Sequence, residues 1–268
     1  MRIGLFTELY PPSIGGQEIR FQQLAHALHE QGHDVSVLTI DHLGHLTEIE
    51  YDGGITIHRH PHATHYVRPK KLIRRSPKTI LSYSAWCRKS AKRNAFDLKL
   101  YNQWPLLHIL FSIFTPGKTV IDWCELRSGF FWSLIQTLLP QLGDANIAVS
   151  NRVATEIQRH TRNITFCLPS GLRVAEYKNL PKHCRNGLLY IGRISEHKNL
   201  PLLVRAFEAL QKHGYTGRLT IAGSGPEAPL VHDADGAIVR VFGCNYWSAA
   251  RDCFGGDTRE AFTLTSND

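Results

Sequence analysis

Several features that would identify a common class of protein are missing from this sequence. The six cysteines, at positions 87, 124, 167, 184, 244 and 253, form no Cys-x-x-Cys pair and no zinc spacing, and we interpret them as reduced thiols of a cytoplasmic protein. The longest apolar stretch, residues 105–114, is shorter than the about 20 residues that a membrane-spanning helix requires. No Ser/His/Asp or Cys/His constellation lies at a recognisable strand-to-helix turn, so catalysis through a protein nucleophile is not predicted.

Acidic residues are absent from a long segment in the first half of the chain. Between Gly53 and Phe96 there is no Asp or Glu, although the segment contains many cations. These cations are Arg59, Arg68, Lys70, Lys71, Arg74, Arg75, Lys78, Arg88, Lys89, Lys92 and Arg93. Such a basic surface, above all residues 68–93, predicts an anionic membrane as partner, since polybasic segments adsorb with about 1 kcal/mol per residue. Nucleic acid is disfavoured because no recognition motif accompanies the charges, and a plain solvated surface remains the alternative.

A histidine tract at the start of this basic segment resembles a metal site. His58, His60, His62 and His65 lie close together in the sequence, and alternate residues of a strand share a face. Pro61 argues against a regular strand through the tract. We therefore expect no metal site.

The start of the chain has the pattern strand, loop, helix, strand. Arg2–Phe6 is an apolar run that we interpret as a first strand and not as a signal peptide. The segment Tyr10-Pro11-Pro12-Ser13-Ile14-Gly15-Gly16 follows, and then come a helical pattern ending at Gly32 and an apolar run at residues 35–40. Amides at a helix N-terminus attract anions, and two glycines let a phosphate approach without meeting a Cβ. This predicts a phosphate-bearing ligand, with a simple tight turn as the alternative.

A second loop of this kind follows the apolar run at residues 188–191. Gly192 and Arg193 open a polar loop that contains Lys198, so two cations could converge on one anion, Arg as a fork and Lys as a mobile point charge. A further strand pattern at residues 218–222 leads into another glycine turn, Gly223-Ser224-Gly225-Pro226, which could face the same crevice.

Length and periodicity favour two α/β domains. A chain of 268 residues with 43% hydrophobic residues is long enough for two cores. Ser76-Pro77 predicts a helix start, with the helix reaching about Arg93. Further strands are predicted at residues 97–101, 119–122, 147–149 and 165–168, which gives a parallel sheet covered on both faces. We expect domains at 1–175 and 183–268, with the boundary between Leu168 and Gly187.

The two glycine loops and their order resemble the retaining glycosyltransferases of family 4. The segments that carry the resemblance are Tyr10-Pro11-Pro12 with Gly15-Gly16, Gly192-Arg193 with Lys198-Asn199, and Ile221-Ala222-Gly223-Ser224-Gly225-Pro226. The resemblance implies the GT-B fold of two Rossmann-like domains. It also implies transfer of a sugar from a nucleotide-diphosphate sugar to a glycan or lipid-linked acceptor, with retention of configuration and without a cofactor.

The resemblance also implies roles for individual residues. Gly15 and Gly16 would lie against the donor diphosphate, while Arg193 and Lys198 would neutralise it and act as catalytic groups. Four residues would lie near the nucleotide: Gly223, Gly225, Phe242 and Gly243. The N-terminal domain would hold the acceptor.

Two departures from the family pattern affect the acceptor side. Many members carry a histidine after the strand that matches residues 97–101, whereas this chain has Asn102 there. Asp122 and Glu125 offer carboxylates at the end of the next strand. We predict Asp122 as a catalytic residue and Tyr10, Asn102 and Glu125 as acceptor-side residues. A structural role for Asp122, as a buried helix cap near Arg127, is the alternative.

A third departure concerns the C-terminal domain. Family members continue into a segment with two glutamates eight positions apart, whereas residues 262–268 of this sequence resemble only the strand and turn that lead into it. We therefore expect an incomplete second domain. A nucleotide-binding remnant without catalytic activity is the alternative function.

Overall fold

The chain divides into two compact units, Met1–Leu172 and Arg173–Asp268. The computed structural model describes residues 1–13, 15–61, 66, 75–171, 187–192, 194–223 and 239–242. Each unit is built around a β-sheet.

The first unit contains an eight-stranded sheet. The strands are β1 (Arg2–Phe6), β2 (Asp34–Ile40), β3 (Ile49–Asp52), β4 (Ile55–His60), β5 (Leu98–Asn102), β6 (Lys118–Trp123), β7 (Ala145–Ala148) and β8 (Thr165–Cys167). Their order across the sheet is β3-β4-β2-β1-β5-β6-β7-β8. All neighbours are parallel except β3 and β4. The strand predictions for this unit are confirmed to within about two residues at each end, the usual scatter of element boundaries.

The antiparallel strand β3 is an addition to the parallel sheet that the sequence predicts. Gly53 and Gly54 join β3 to β4, and both have positive φ, 55° and 90°. Two consecutive left-handed residues make a tight hairpin turn whose twist matches that of paired strands, and glycine adopts this conformation without strain. The chain therefore reverses direction at Gly53 and adds an edge strand to the sheet.

Helices cover both faces of this sheet. Their bounds are α1 (Gly16–Glu30), α2 (Pro77–Asn94), α3 (Leu107–Ser112), α4 (Phe130–Leu138) and α5 (Asn151–His160). Phe21 and Ala25 of α1 pack with Leu5 and Val37 in a core on one face. Helices α2 to α5 contribute to a second core on the other face. This division follows from the strand order. Helix α1 leads to a strand nearer the β3 edge of the sheet, whereas α2 to α5 each lead to a strand nearer the β8 edge. Because crossovers between parallel strands are right-handed, connections that run in opposite directions lie on opposite faces of the sheet.

The start of α2 is specified by its cap. Ser76 has extended backbone and its Oγ accepts a hydrogen bond from the Thr79 amide at 3.4 Å, while Pro77 occupies the first helical position. A proline at this position loses no hydrogen bond, and the serine satisfies one of the free amides. The predicted helix start at Ser76-Pro77 is confirmed.

The described part of the second unit is a three-stranded parallel sheet with one α-helix. The strands are β9 (Leu188–Ile191), β10 (Leu219–Ala222) and β11 (Val239–Phe242), in the order β11-β10-β9, and the helix is α6 (Leu200–Lys212). Val204 and Phe207 of α6 pack against Ile221 in the core of this unit. Among the described residues, none of the helices is both long and apolar enough to cross a bilayer.

Candidate functional site

The loop between β1 and α1 leaves the first amides of a helix open. Gly15 is the N-cap of α1, with φ −177° and ψ 166°, and its position carries no side chain that could cap the helix. A Cβ on Gly16 would meet no atom within 4 Å. Neither glycine is among the residues with positive φ. The backbone conformation therefore does not require glycine at position 16. The open space beside the helix N-terminus leaves room for a phosphate, so phosphate binding at this loop stays a prediction.

A carboxylate lies against the same loop. Glu18 is nearly buried, its Oε1 accepts a hydrogen bond from the Ser13 hydroxyl at 3.1 Å, and a Cβ on Gly15 would collide with its carboxylate. Glu18 is the third residue after the N-cap, the position from which a glutamate can reach back to the helix start. Because this negative charge faces Gly15, Gly16 offers the more favourable approach for a phosphate.

Arg59 of β4 attaches the loop between β1 and α1 to the sheet. Its guanidinium donates to the Pro11 carbonyl oxygen at 2.8 Å and to Glu50 at 2.6 Å, and the Arg59 side chain is buried. Tyr10 is also buried, and burial raises the pKa of its hydroxyl. Tyr10 is thus part of the support of the loop.

Buried charges lie at the end of β1. Glu8 forms an ion pair with Arg75 and accepts a hydrogen bond from the Tyr66 hydroxyl at 3.0 Å. Burial raises the pKa of Glu8, while Arg75 and the Tyr66 hydrogen bond oppose the rise. The guanidinium of Arg75 lies 6.0 Å from the centre of the Trp104 ring, which connects this cluster to the end of β5. The sequence did not identify Glu8, because its partners lie more than 50 positions away.

The ends of β5 and β6 are joined by the side chain of Gln103. Its Oε1 accepts hydrogen bonds from the Cys124 amide at 2.8 Å and the Glu125 amide at 3.0 Å. Asn102 is buried and accepts from the Trp104 amide at 2.9 Å. The predicted acceptor-side residue Asn102 therefore shapes the turn, and Gln103 fixes the backbone at Glu125.

Glu125 is the accessible acidic residue of this edge. Its Oε1 accepts from Trp104 Nε1 at 3.1 Å and from Arg127 Nε at 3.0 Å, and 45% of its side chain is exposed. The Arg127 guanidinium lies 4.3 Å from the centre of the Trp104 ring and 5.1 Å from that of Trp132. Stacking and ion pairing orient both charged groups toward one another while leaving them in contact with solvent.

Asp122 has a different environment from the one predicted. Both of its carboxylate oxygens accept hydrogen bonds from Arg20, at 2.7 and 3.1 Å, and its side chain is fully buried. A carboxylate so placed cannot reach an acceptor hydroxyl, so the catalytic assignment of Asp122 is not supported by this geometry. The helix-capping alternative is not observed either, because the N-cap of α4 is Gly129. Asp122 instead attaches α1 to β6.

The second unit brings some of the predicted donor residues to one edge. Ile191 of β9 and Phe242 of β11 both pair with Ala222 of β10, so Gly192 and Gly223 follow neighbouring strands at their carboxyl ends. Lys198 ends a short 3-10 helix that precedes α6, and it is exposed. Ligands of open parallel sheets bind at this edge. Arg193, Gly225 and Gly243 lie outside the described residues.

The histidine tract does not form a metal centre in the part that the structure describes. No group of three metal-binding side chains occurs among the described residues. His60 Nε2 lies 3.0 Å from the Ser82 hydroxyl, and its ring packs on Trp86. Burial and the nearby Arg93 lower the pKa of His58. His62 and His65 lie outside the described residues.

Comparisons with known proteins give the family of this chain. The profile of Glycosyltransferase Family 4 matches residues 14–165. A comparison with curated proteins gives no significant match.

Solved structures are similar at low sequence identity. Sucrose-phosphate synthase from Thermosynechococcus elongatus is 19% identical, with a TM-score of 0.71 over 93% of this chain and 72% of that one. HepE from Anabaena, solved in complex with UDP-glucose, is 15% identical, with a TM-score of 0.63 over 93% and 72% of the two chains. WaaG, a glycosyltransferase of lipopolysaccharide biosynthesis, is 16% identical, with a TM-score of 0.61 over 93% and 71%.

At these identities the structural similarity concerns the fold, and the fold is GT-B. The family match covers more than half of the chain, including Gly15, Gly16 and the strands from β2 to β7. The chain therefore belongs to Glycosyltransferase Family 4.

Proposed function

We propose that this protein transfers a sugar from a nucleoside-diphosphate sugar to a glycan or lipid-linked acceptor, with retention of configuration. The observation that carries the proposal is the open N-terminus of α1 at Gly16, where a Cβ would meet no atom within 4 Å. Free amides and the helix dipole stabilise a phosphate at such a position. The complex of a structural relative with UDP-glucose supports a nucleotide sugar as the donor.

The chemistry would rest on stabilising the leaving diphosphate. Cleavage of the glycosidic bond to phosphate increases the negative charge on the departing oxygen, and one donor positioned for that charge contributes about 3 kcal/mol. The Gly16 amide, Lys198 and Arg193 would supply these contacts, and the role of Arg193 rests on its position in the sequence pattern. In the retaining reaction the leaving phosphate itself would accept the proton of the acceptor hydroxyl. No cofactor is required for this step.

The nucleotide would occupy the carboxyl edge of the second unit. Gly223 follows β10 and Phe242 ends β11 at this edge. From their positions in the sequence pattern, Gly225 and Gly243 would complete the site. Glycines at such positions allow the nucleotide to approach the backbone closely.

The acceptor would bind near Glu125 in the first unit. Glu125 is the exposed carboxylate at the end of β6, and Trp104 and Arg127 contact it directly. A carboxylate beside an indole and a guanidinium can bind sugar hydroxyls by hydrogen bonding. Tyr10 and Asn102, which are buried, would act by supporting the surrounding loops.

We further propose a cytoplasmic location with attachment to an anionic membrane through residues 68–93. Support comes from the outer side of α2, where five cations are exposed: Lys78, Arg88, Lys89, Lys92 and Arg93. Residues 68–74 lie outside the described part. No nucleic-acid partner is proposed.

Donor turnover tests the proposal. The protein is incubated with UDP-glucose, ADP-glucose and GDP-mannose, with water as the acceptor of the sugar by hydrolysis, and release of nucleoside diphosphate and the anomeric configuration of the first sugar product are followed by NMR. We expect release from one donor and a product with the configuration of that donor. Release no faster than in buffer from all three donors would contradict the proposed activity, and an inverted product would contradict retention alone.

A further inference from the structure

Helix α4 is apolar but has no buried residue. Its sequence is FFWSLIQTL, and none of its nine residues is buried. Phe130 is 89% exposed and Phe131 62%, and Leu134 and Leu138 are also exposed. We call these four residues the α4 apolar surface. A helix on a water-exposed surface normally carries polar residues on its outer side. An apolar outer side therefore indicates that a membrane or another molecule covers the helix.

The inner side of α4 accounts for its attachment to the unit. Ile135 packs against the core that α2, α3 and α5 share, and Leu139 directly after the helix is buried in it. The α4 apolar surface is therefore separate from the residues by which α4 packs against the core of the first unit.

Neighbouring helices extend the apolar surface and give it a charged border. Helices α2, α3 and α4 lie on one face of the sheet in this order, because they connect successive strands on the same side. Leu110 of α3 and Phe114 after it are exposed. Next to them, α2 presents Lys78, Arg88, Lys89, Lys92 and Arg93 outward. One face of the unit thus combines exposed phenylalanine and leucine side chains with a row of cations.

The charges identify the kind of partner. Residues 126–143, which include α4, contain no Asp or Glu, and α2 contains none either. A second copy of the chain seated on this face would bring a second row of cations against the first, which disfavours a symmetric dimer. An anionic bilayer offers negative headgroups for the cations and an interfacial layer for the phenylalanine and leucine side chains.

We propose that α4 enters the interfacial layer of an anionic membrane while the cations of α2 contact the headgroups. The proposal deepens the membrane attachment proposed above and rests on it. It adds an apolar contact outside residues 68–93. Two separate contacts, one electrostatic and one apolar, give stable but reversible attachment, as either alone binds weakly.

Vesicle sedimentation with matched variants tests the proposal. The full chain is mixed with phosphatidylcholine vesicles that contain about 30 mol% of the anionic lipid phosphatidylglycerol. Phe130→Ser with Phe131→Ser removes the most exposed part of the α4 apolar surface, and Tyr51→Ser, on edge strand β3, is the control for loss of an exposed aromatic. We expect the double variant to bind at least tenfold more weakly and Tyr51→Ser to bind as the unchanged protein does.

Further measurements separate the possible outcomes. Melting temperature and UDP binding should be unchanged in the double variant, so a failure of the membrane proposal is distinguishable from a failure of the proposed transferase function. Arg88→Glu with Lys89→Glu should also weaken binding, whereas Arg162→Glu, on the loop after α5, should not. Equal binding of the double variant and the unchanged protein would overturn the proposal, as would absence of vesicle binding. A dimer in light scattering that the double variant abolishes would overturn it in favour of a second copy.

Discussion

At the scale of single residues, buried charges hold the edge of the first sheet where the acceptor is proposed to bind. Arg20 and Asp122 connect α1 to β6, and Glu8 and Arg75 connect the end of β1 to the segment before α2. Removing one member of a buried ion pair costs more than the pair contributes, because the other charge stays buried without a partner. We therefore expect that replacing these residues lowers stability, and that it changes activity only by displacing neighbouring residues of the site.

Replacement of Asp122 tests this structural role. Asp122→Asn leaves the Arg20 guanidinium buried without its counter-ion, and we expect a loss of about 3–5 kcal/mol in the free energy of unfolding by urea. Glu156→Gln is the control, since Glu156 pairs with Arg159 on the surface and such pairs contribute about 0–1 kcal/mol. A variant Asp122→Asn that is as stable as the unchanged protein but inactive would restore the catalytic assignment.

His108 should make stability depend on pH. Burial lowers the pKa of His108 to about 3, and its ring lies between Tyr83 and Tyr101, with ring centres 5.9 and 5.4 Å away. The unfolded chain takes up a proton at this histidine below a pH of about 6.5, whereas the folded protein does not. Stability is therefore lost as the pH falls from about 6.5 toward 3, and His108 alone should account for about 2 kcal/mol at pH 5.

The variant His108→Phe isolates this effect. It keeps an aromatic ring between the two tyrosines and removes the titrating group, so the unfolding free energy should fall less between pH 7.5 and pH 5 than in the unchanged protein. His45→Gln, at an exposed position, serves as the control. If both variants lose stability in parallel with the unchanged protein, His108 is not the buried neutral group described here.

Lys198 should distinguish the phosphates from the nucleoside. Charge-assisted contacts to phosphate contribute about 1.5–3 kcal/mol, so Lys198→Ala should weaken UDP binding about tenfold or more and leave uridine binding unchanged. Lys212→Ala, at the exposed end of α6, is the matched control. Calorimetric titration with both ligands measures the difference, and equal losses for UDP and uridine would refute the assignment to phosphate.

At the scale of elements, local patterns predicted most of the strands and the start of α2. Apolar runs such as residues 35–40 and the Ser76-Pro77 cap carry their information within a few residues. The β3–β4 hairpin was not predicted, because three of the four residues of β3 are exposed and the strand shows no apolar alternation. Its signal was the Gly53-Gly54 pair, which supplies the two left-handed residues of a hairpin turn.

The cap of α2 provides a test at this scale. Ser76→Ala removes the acceptor of the Thr79 amide and should lower the unfolding free energy by about 1 kcal/mol. Ser133→Ala, in the interior of exposed α4, should leave it nearly unchanged or raise it slightly, because alanine favours helix. Urea unfolding of both variants provides the comparison, and a Ser76→Ala variant of unchanged stability would show that α2 does not depend on this cap.

At the scale of the whole molecule, the family and the fold could be predicted from a few glycine loops, but the arrangement of the site could not. Gly15 and Gly16 are proposed to act through their backbone amides, so a local sequence pattern is enough to predict them. Glu8 and Asp122, in contrast, are defined by partners far along the chain, and Arg20 lies 102 positions from Asp122. A sequence pattern does not contain such pairings, so the ion pair of Asp122 with Arg20 and the roles of Glu8, Gln103 and Arg59 were not predicted.

The most direct measurement of the central claim is calorimetric titration of UDP and UDP-glucose into the unchanged protein, Gly16→Ala and Gly16→Val. Because a Cβ at position 16 meets open space, both variants should keep the melting temperature of the unchanged protein. Added atoms would stand between the helix N-terminus and the phosphates, so binding should weaken in Gly16→Ala and be lost in Gly16→Val. Binding of both ligands to folded Gly16→Val with unchanged affinity would contradict the account.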